Sequence, residues 1–305
     1  MSDKRKRYLR QQAELGGKEV YLADGKEKGN AKKGGAKSGR RKPASAQPEE
    51  PAPGVTAKVA PSVTHPVPAE VPAAPPPPAP AAAGRVETPG STPKWMKDAP
   101  AVPGPGLRIV PPDPVLVGDE IAGLESLEAV ATMISQCRRC RLCEGRQHTV
   151  PGEGNPSARL MCVGEGPGAT EDETGRPFVG AAGQLLDQIL AAIECPRETV
   201  FIANIVKCRP PQNRKPLPDE ATACLAYLHR QIALVRPKVL LALGGTAAEW
   251  LLGSKKSLGE LRGQVHSYAG IPVVVTYHPA ALLRNPNWKR PTWDDVRIAR
   301  QLLEG

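Results

Sequence analysis

The chain has 305 residues, 41 Lys and Arg against 31 Asp and Glu, a formal net charge of +10, and 35 prolines. Residues 1–42 hold basic runs such as KRKRYLR and AKKGGAKSGRRK, and residues 43–117 are dominated by Pro and Ala, so neither stretch can bury a core. The absence of a run of about 18 apolar residues, and of an apolar segment followed by a cleavage site, excludes a membrane span and that route of secretion, and a soluble cytoplasmic protein is the expectation.

Residues 1–117 are thus expected to be a disordered tail and residues 118–305 a single folded domain. Nearly all of the net charge sits in the first basic block. It suits a nucleic-acid tether working through counterion release, or a merely solubilising extension. TPKWMKDAP, around Trp95, is the tail's one aromatic motif and has no assigned role.

Within the domain, LESLEAVATMISQC has helical spacing and delivers Cys137 to its place. ARLMCVGEG reads as a buried strand with a functional loop at its carboxyl end. AAGQLLDQILAAI follows as a helix with Leu185, Leu186, Ile189 and Leu190 on one face. TVFIANIVKC is the second strand, DEATACLAYLHRQIALV the second helix, PKVLLALGG the third strand, and TAAEWLL a short helix. This order predicts a parallel sheet with helices on its faces. QVHSYAGIPVVVTYHPAALL predicts a hairpin turning at Ala269–Gly270 whose second arm is a further sheet strand ending in a His-Pro loop. TWDDVRIARQLL predicts a closing helix with Thr292 as N-cap. Ligands of such sheets bind beyond the carboxyl ends of the strands, where three loops converge: Glu165–Val179, Asn204–Pro211 and His278–Arg284.

The first of these loops is rich in glycine, but it carries Glu165, Glu171, Asp172 and Glu173 where a phosphate cradle would carry Lys. Free phosphate is therefore a poor fit. The seven cysteines sort by spacing. Cys137 and Cys140 form a C-x-x-C, Cys208 ends the second strand at VKCRPP, and Cys224 lies on the next helix. Four thiolates suit tetrahedral zinc or a cubane iron–sulfur cluster, and the long insertion between the last two favours the cluster; buried structural cysteines are the alternative. Cys143 makes a second C-x-x-C with Cys140 and competes for ligand status. Cys162 and Cys195 read as core or surface positions.

Taken together, CRRCRLCEGR, VGEGPGATEDETGRPFVG, NIVKCRPPQNRKPLPDE and HPAALLRNP resemble the family 4 uracil-DNA glycosylases, the iron–sulfur members of their superfamily, over about residues 125–304. The resemblance implies a three-layer α/β/α sandwich with a central, mainly parallel four-stranded sheet. It also implies a [4Fe-4S] cluster on Cys137, Cys140, Cys208 and Cys224, with Cys143 a bystander, and a monomer acting on uracil-containing DNA. By the same resemblance Phe178 stacks on the flipped base, Asn204 reads uracil N3–H and O4, and His278 donates to uracil O2. Gly166 stands where the superfamily usually has Asp, so Glu165 or Glu171 would position water or offset charge on the sugar. Glu171 could also wall off the uracil C5 edge, and Asp172 and Glu173 would be solvated. Arg209, Arg214, Lys215, Arg284, Lys289 and Arg290 would contact phosphates, and Leu282 and Leu283 would wedge behind the extruded base.

No catalytic Lys appears in the pocket motifs, which points to hydrolysis without a lyase step. RPPQNRKPLPDE contains no His, which argues against a relative that traps DNA covalently. The competing class is a non-catalytic iron–sulfur DNA-binding or redox-sensing protein of the same fold.

Overall fold

The computed structural model describes residues 92–111 and 120–305; the remainder of the expected tail lies outside the described residues. In chain order the strands are β1 (Pro105–Ile109), β2 (Glu153–Gly154), β3 (Leu160–Gly164), β4 (Phe201–Asn204), β5 (Val239–Leu243), β6 (Val265–Tyr268) and β7 (Ile271–Thr276). The helices are α1 (Leu127–Ser135), α2 (Ala169–Thr174), α3 (Ala181–Ala192), α4 (Pro218–Val235), α5 (Gly245–Leu252), α6 (Leu258–Leu261), α7 (Pro279–Arg284) and α8 (Lys289–Glu304).

The seven strands form one sheet in the order β1-β6-β7-β5-β3-β4-β2. Its centre, β7-β5-β3-β4, is the parallel four-stranded unit expected from the sequence. Two antiparallel additions, β6 on β7 and β2 on β4, and β1 lying parallel to β6, widen it to seven. β3 and β5 are buried along their whole length, as strands covered on both faces must be. Their side chains alternate between two core layers. Met161, Val163, Leu240 and Ala242 face the layer that includes Ile134 of α1, Leu228 of α4 and Leu251 of α5. Leu160, Cys162, Leu241 and Leu243 face the layer that includes Leu186 and Leu190 of α3 and Val296 of α8. The hairpin turns at Ala269 (φ 52°) and Gly270 (φ 86°), the two positive φ values that a tight two-residue turn needs.

Two boundaries differ from expectation. The closing helix begins at Lys289, not after Thr292; Pro291 is tolerated in its first turn, where N–H groups lack intrahelical partners, and Thr292 Oγ1 donates to the Trp288 carbonyl from inside the helix. The folded body also takes in part of the stretch that composition assigns to the tail. Trp95 is wholly buried, its Nε1 donates to Glu194 Oε2 at 3.0 Å, and the Arg300 guanidinium lies 4.7 Å over its ring. Arg297 donates to the Lys97 and Asp98 carbonyls, Gln301 to that of Pro100, and β1 adds an edge strand. One tryptophan and a few backbone carbonyls therefore anchor a segment whose Pro-rich composition conceals it.

Candidate active site

The carboxyl ends of β3, β4 and β7 open into a cleft of about 350 Å³ lined by Glu165, Gly166, Phe178, Asn204, His278 and Arg284, among others. That size suits a single small ligand such as an extruded base. Phe178, Asn204 and His278, which lie far apart in sequence, meet here. Gly164 ends β3 directly beneath them: a Cβ on it would lie 2.4 Å from Asn204 Oδ1 and 2.5 Å from Phe178 Cζ, so any larger residue would displace both. The Phe178 and His278 ring centroids are 5.5 Å apart at a 31° tilt.

Asn204 is buried at the end of β4, and its Oδ1 has no hydrogen-bond partner. A buried acceptor left unpaired is costly and rare, which marks this atom as one that awaits a donor. From below, the buried Lys207 Nζ donates to the Asn204 carbonyl at 2.9 Å and to Gln231 Oε1 at 2.6 Å. Burial pulls the Lys207 pKa down to about 8, so the ammonium still carries its charge at neutral pH.

His278 Nδ1 accepts the Ala280 N–H at 3.1 Å, at the start of α7. Burial, with Arg284 nearby, holds the His278 pKa down to about 4, while Glu171 opposes the shift. At neutral pH the ring is therefore neutral. With Nδ1 accepting, its one proton sits on Nε2, which makes that atom a donor.

The acidic loop separates into distinct roles. Glu171 Oε2 accepts the Gly168 N–H at 3.1 Å, and its Oε1 accepts those of Val179 and Gly180, both at 2.9 Å. From the cleft wall it thus joins the N-terminal ends of α2 and α3, so both carboxylate oxygens are already engaged by backbone N–H groups. Asp172 is buried rather than solvated, and accepts the Gln147 N–H at 3.0 Å. Glu173 is exposed, as expected. Glu165 lines the cleft and makes no side-chain hydrogen bond or ion pair among the described residues, which leaves its carboxylate available. A Cβ on Gly166 would lie 2.7 Å from Val206 Cγ2, so the position expected to carry Asp in relatives has little room here for a side chain.

The basic rim is less uniform than its sequence suggests. Arg214 lines the cleft but is held by Glu220 in a bidentate pair at 2.8 and 2.7 Å, and Lys215 pairs with Glu249 at 3.1 Å. Arg209 Nε donates to Asn213 Oδ1. Lys289 and Arg290 are exposed, with Arg290 3.6 Å from Asp294, and Arg284 is exposed on the cleft's edge. Leu282 is buried in the fold and cannot wedge into DNA. Leu283, at 51% exposure, remains available.

A second cavity is lined by Cys137, Cys140, Cys143, Cys208 and Cys224, together with Arg146, Lys207 and Tyr227. Backbone N–H groups of Arg139 and Lys207 point at Cys137 Sγ (3.5 Å) and Cys224 Sγ (3.3 Å), and Arg146 Nη1 lies 3.3 Å from Cys208 Sγ. Burial raises the Cys140 and Cys208 thiols and pushes Cys224 up to about 12, so forming thiolates here requires a strong cationic partner. Among the described residues, no three His, Cys, Asp or Glu side chains converge as a single ion would require. Cys143, read from the sequence as a bystander, lines the same cavity as the four expected ligands. Cys162 and Cys195 lie in the core layer that holds α3 and α8.

The two sites share one chain segment. Cys208 and Cys224 bracket Pro210, Asn213 and Arg214, which form a wall of the cleft, and Glu220 fastens this segment at mid-length by accepting from Arg214 and from the Leu217 N–H. Glu220, Arg146 and Lys207 escape sequence reasoning because their importance lies in whom they meet across the fold. No local spacing announces it.

Residues 151–298 match the uracil DNA glycosylase superfamily model. The chain is 44% identical over 188 residues to a type-4 uracil-DNA glycosylase of Sulfurisphaera tokodaii, covering 59% of this chain and 86% of that protein. It is 42% identical over 184 residues to that of Thermotoga maritima, covering 59% and 96%. A type-5 uracil-DNA glycosylase of Pyrobaculum aerophilum is 34% identical over 153 residues, covering 44% and 66%. Similarity at this level, over nearly the full length of the type-4 proteins, shows that the chain belongs to the type-4 uracil-DNA glycosylases.

Proposed function

We propose that the protein is a DNA-repair glycosylase that hydrolyses the bond between uracil N1 and deoxyribose C1′, releasing uracil and leaving an abasic site. The observation that carries this reading is the unpaired Asn204 Oδ1 in a cleft walled by Phe178 and His278. Uracil N3–H supplies the donor this oxygen lacks, and the amide NH2 can donate to O4. Cytosine, with an acceptor at N3 and a donor at C4, inverts both. The base must leave the stack to reach these groups, and the Phe178 ring gives it a surface to stack on.

Breaking the glycosidic bond leaves negative charge on the uracil and positive charge on the sugar. His278, neutral and donating from Nε2, stabilises the charge that builds on O2, and Glu165 offsets the sugar's charge and orients the attacking water. Rim cations, Arg209 and Arg284 foremost, hold phosphates without reading sequence, and Leu283 fills the gap behind the extruded base.

The all-sulfur donor set, with N–H groups aimed at the sulfurs, fits a [4Fe-4S] cluster on Cys137, Cys140, Cys208 and Cys224. When bound, the cluster acts structurally, tying α1 to the segment that walls the cleft. All seven cysteines are unpaired, as suits a reducing compartment, and we assign the protein to the cytoplasm, acting as a monomer with its basic tail on nucleic acid. No helix among the described residues is long and apolar enough to cross a membrane.

The test of the pocket is Asn204→Asp, which turns the amide donor facing O4 into an acceptor. Uracil release should fall about 10²-fold, the order expected when a preorganised hydrogen bond is lost, and the preference for U over C should narrow. Unchanged release with unchanged preference would remove Asn204 from the site.

A further inference from the structure

Arg197, in the short turn before β4, is assigned no role by sequence or family likeness, yet it makes five hydrogen bonds with its guanidinium. Nη1 donates to the Phe178 carbonyl at 3.0 Å and to Asp187 Oδ1 at 2.9 Å; Nη2 donates to the Pro177 carbonyl at 2.5 Å and to Glu153 Oε1 at 2.7 Å; Nε donates to Glu153 Oε1 at 3.1 Å. A guanidinium has five N–H groups, so none is left for a phosphate. With the side chain 19% exposed, Arg197 is not a DNA contact.

Its targets are the carbonyls of the residue that forms the stacking surface and of the residue before it. Phe178 sits at φ 51°, in the left-handed region that a bulky residue adopts only when its surroundings enforce it. The enforcement comes from both sides. The Val179 and Gly180 N–H groups are fixed by Glu171, while the Phe178 carbonyl is pressed against the first turn of α3, where a Cβ on Gly183 would lie 1.8 Å from it. Among the described residues, only Arg197 supplies hydrogen-bond donors to the carbonyl side. Asp187 and Glu153 keep the guanidinium in register, and Glu153 is itself braced by Arg176 at 2.9 Å.

We infer that Arg197 is a positioning residue for base recognition, which holds Phe178 in its strained conformation so that the ring is set for the extruded uracil before DNA binds. The inference rests on the stacking role given to Phe178 above.

A double-mutant cycle between Arg197→Met and Phe178→Ala tests both ideas separately, with kcat and KM measured on a single-stranded oligonucleotide carrying one U. Arg197→Met alone should lower kcat/KM about 10²-fold, the order of effect of misplacing a positioning group by about 1 Å. In the Phe178→Ala background it should change kcat/KM less than about 3-fold, because its target ring is gone. The fluorescence of 2-aminopurine beside the uracil, which rises on base extrusion, should drop in Arg197→Met and in Phe178→Ala alike. A full, multiplicative loss in the Phe178→Ala background, or wild-type behaviour of Arg197→Met, overturns the inference. Wild-type kinetics of Phe178→Ala alone overturns the stacking role and the inference with it. Should Arg197→Met fail to give a cooperative melt, Arg197→Lys, which keeps the charge between Glu153 and Asp187 with fewer and differently placed donors, carries the same cycle and the same criteria.

Discussion

His278 illustrates how burial sets the chemistry of one residue. In the reaction proposed above, the neutral ring with its proton on Nε2 donates to the charge that builds on uracil O2 without giving the proton up. Since the folded pKa is about 4 and the unfolded value 6.5, His278 contributes no titration to activity between pH 6 and 8. The same shift makes a stability statement. Between pH 6.5 and 4 the unfolded chain binds more protons than the folded one, so stability falls as pH drops through that window. His229, likewise held to about 4 by burial, adds to it. Thermal unfolding followed from pH 7 to about 5.5 should therefore show a midpoint that declines steadily, above the range where protonation of Glu153 and Glu220 in the unfolded chain begins to contribute, their folded pKa values being lowered. A midpoint independent of pH over that range would contradict the burial of these two rings.

Among the elements, the segment around Trp95 and β1 departs furthest from what composition suggests. It binds α8 through Arg297, Arg300 and Gln301 and extends the sheet at β6. Replacing Trp95 by Ala should remove about 3–5 kcal/mol, as for other buried tryptophans, and lower the melting midpoint by roughly 10 °C in a domain of this size. Turnover at moderate temperature should persist, since Trp95 does not line the cleft. A midpoint within 2 °C or so of the wild type would show the segment to be loosely held. The parallel centre of the sheet was legible in the sequence because β3, β4, β5 and β7 are unbroken apolar runs separated by helical periods. β1 and β2 were not, since PGLRI opens on Pro and Gly and carries Arg108 between Leu107 and Ile109, and EG is too short to carry a period. The site was legible in part: Phe178, Asn204 and His278 end strands or loops where ligands bind, and they do converge. Asp172 and Leu282 were misread, and the partners of Glu171 and Arg214 were missed, because a charged or apolar side chain in a loop declares its type but not its partner. Each of them found one inside the fold.

Charge and the two candidate sites fall on different parts of the chain. The body carries the cleft and the cysteine cavity, whereas most of the net charge of +10 lies in the first residues. Because residues from Trp95 onward belong to the body, the informative truncation removes residues 1–91 only. We expect it to leave turnover on a short oligonucleotide nearly unchanged while weakening DNA binding at moderate salt and flattening its salt dependence, as loss of phosphate-neutralising cations does. Identical binding across a salt titration would show that the tail takes no part in holding DNA.

Excision of uracil through the pocket formed by Phe178, Asn204 and His278 is the reaction proposed above. Its most direct test is uracil release from a labelled oligonucleotide carrying a single U, with alkaline cleavage to reveal abasic sites, comparing the wild-type protein with His278→Ala. We expect cleavage at the U by the wild type and a loss of about 10²–10³-fold in rate when the O2 donor is removed. Wild-type protein that is folded and binds the oligonucleotide but releases no base would overturn that proposal, and would favour a DNA-binding protein built on a glycosylase fold.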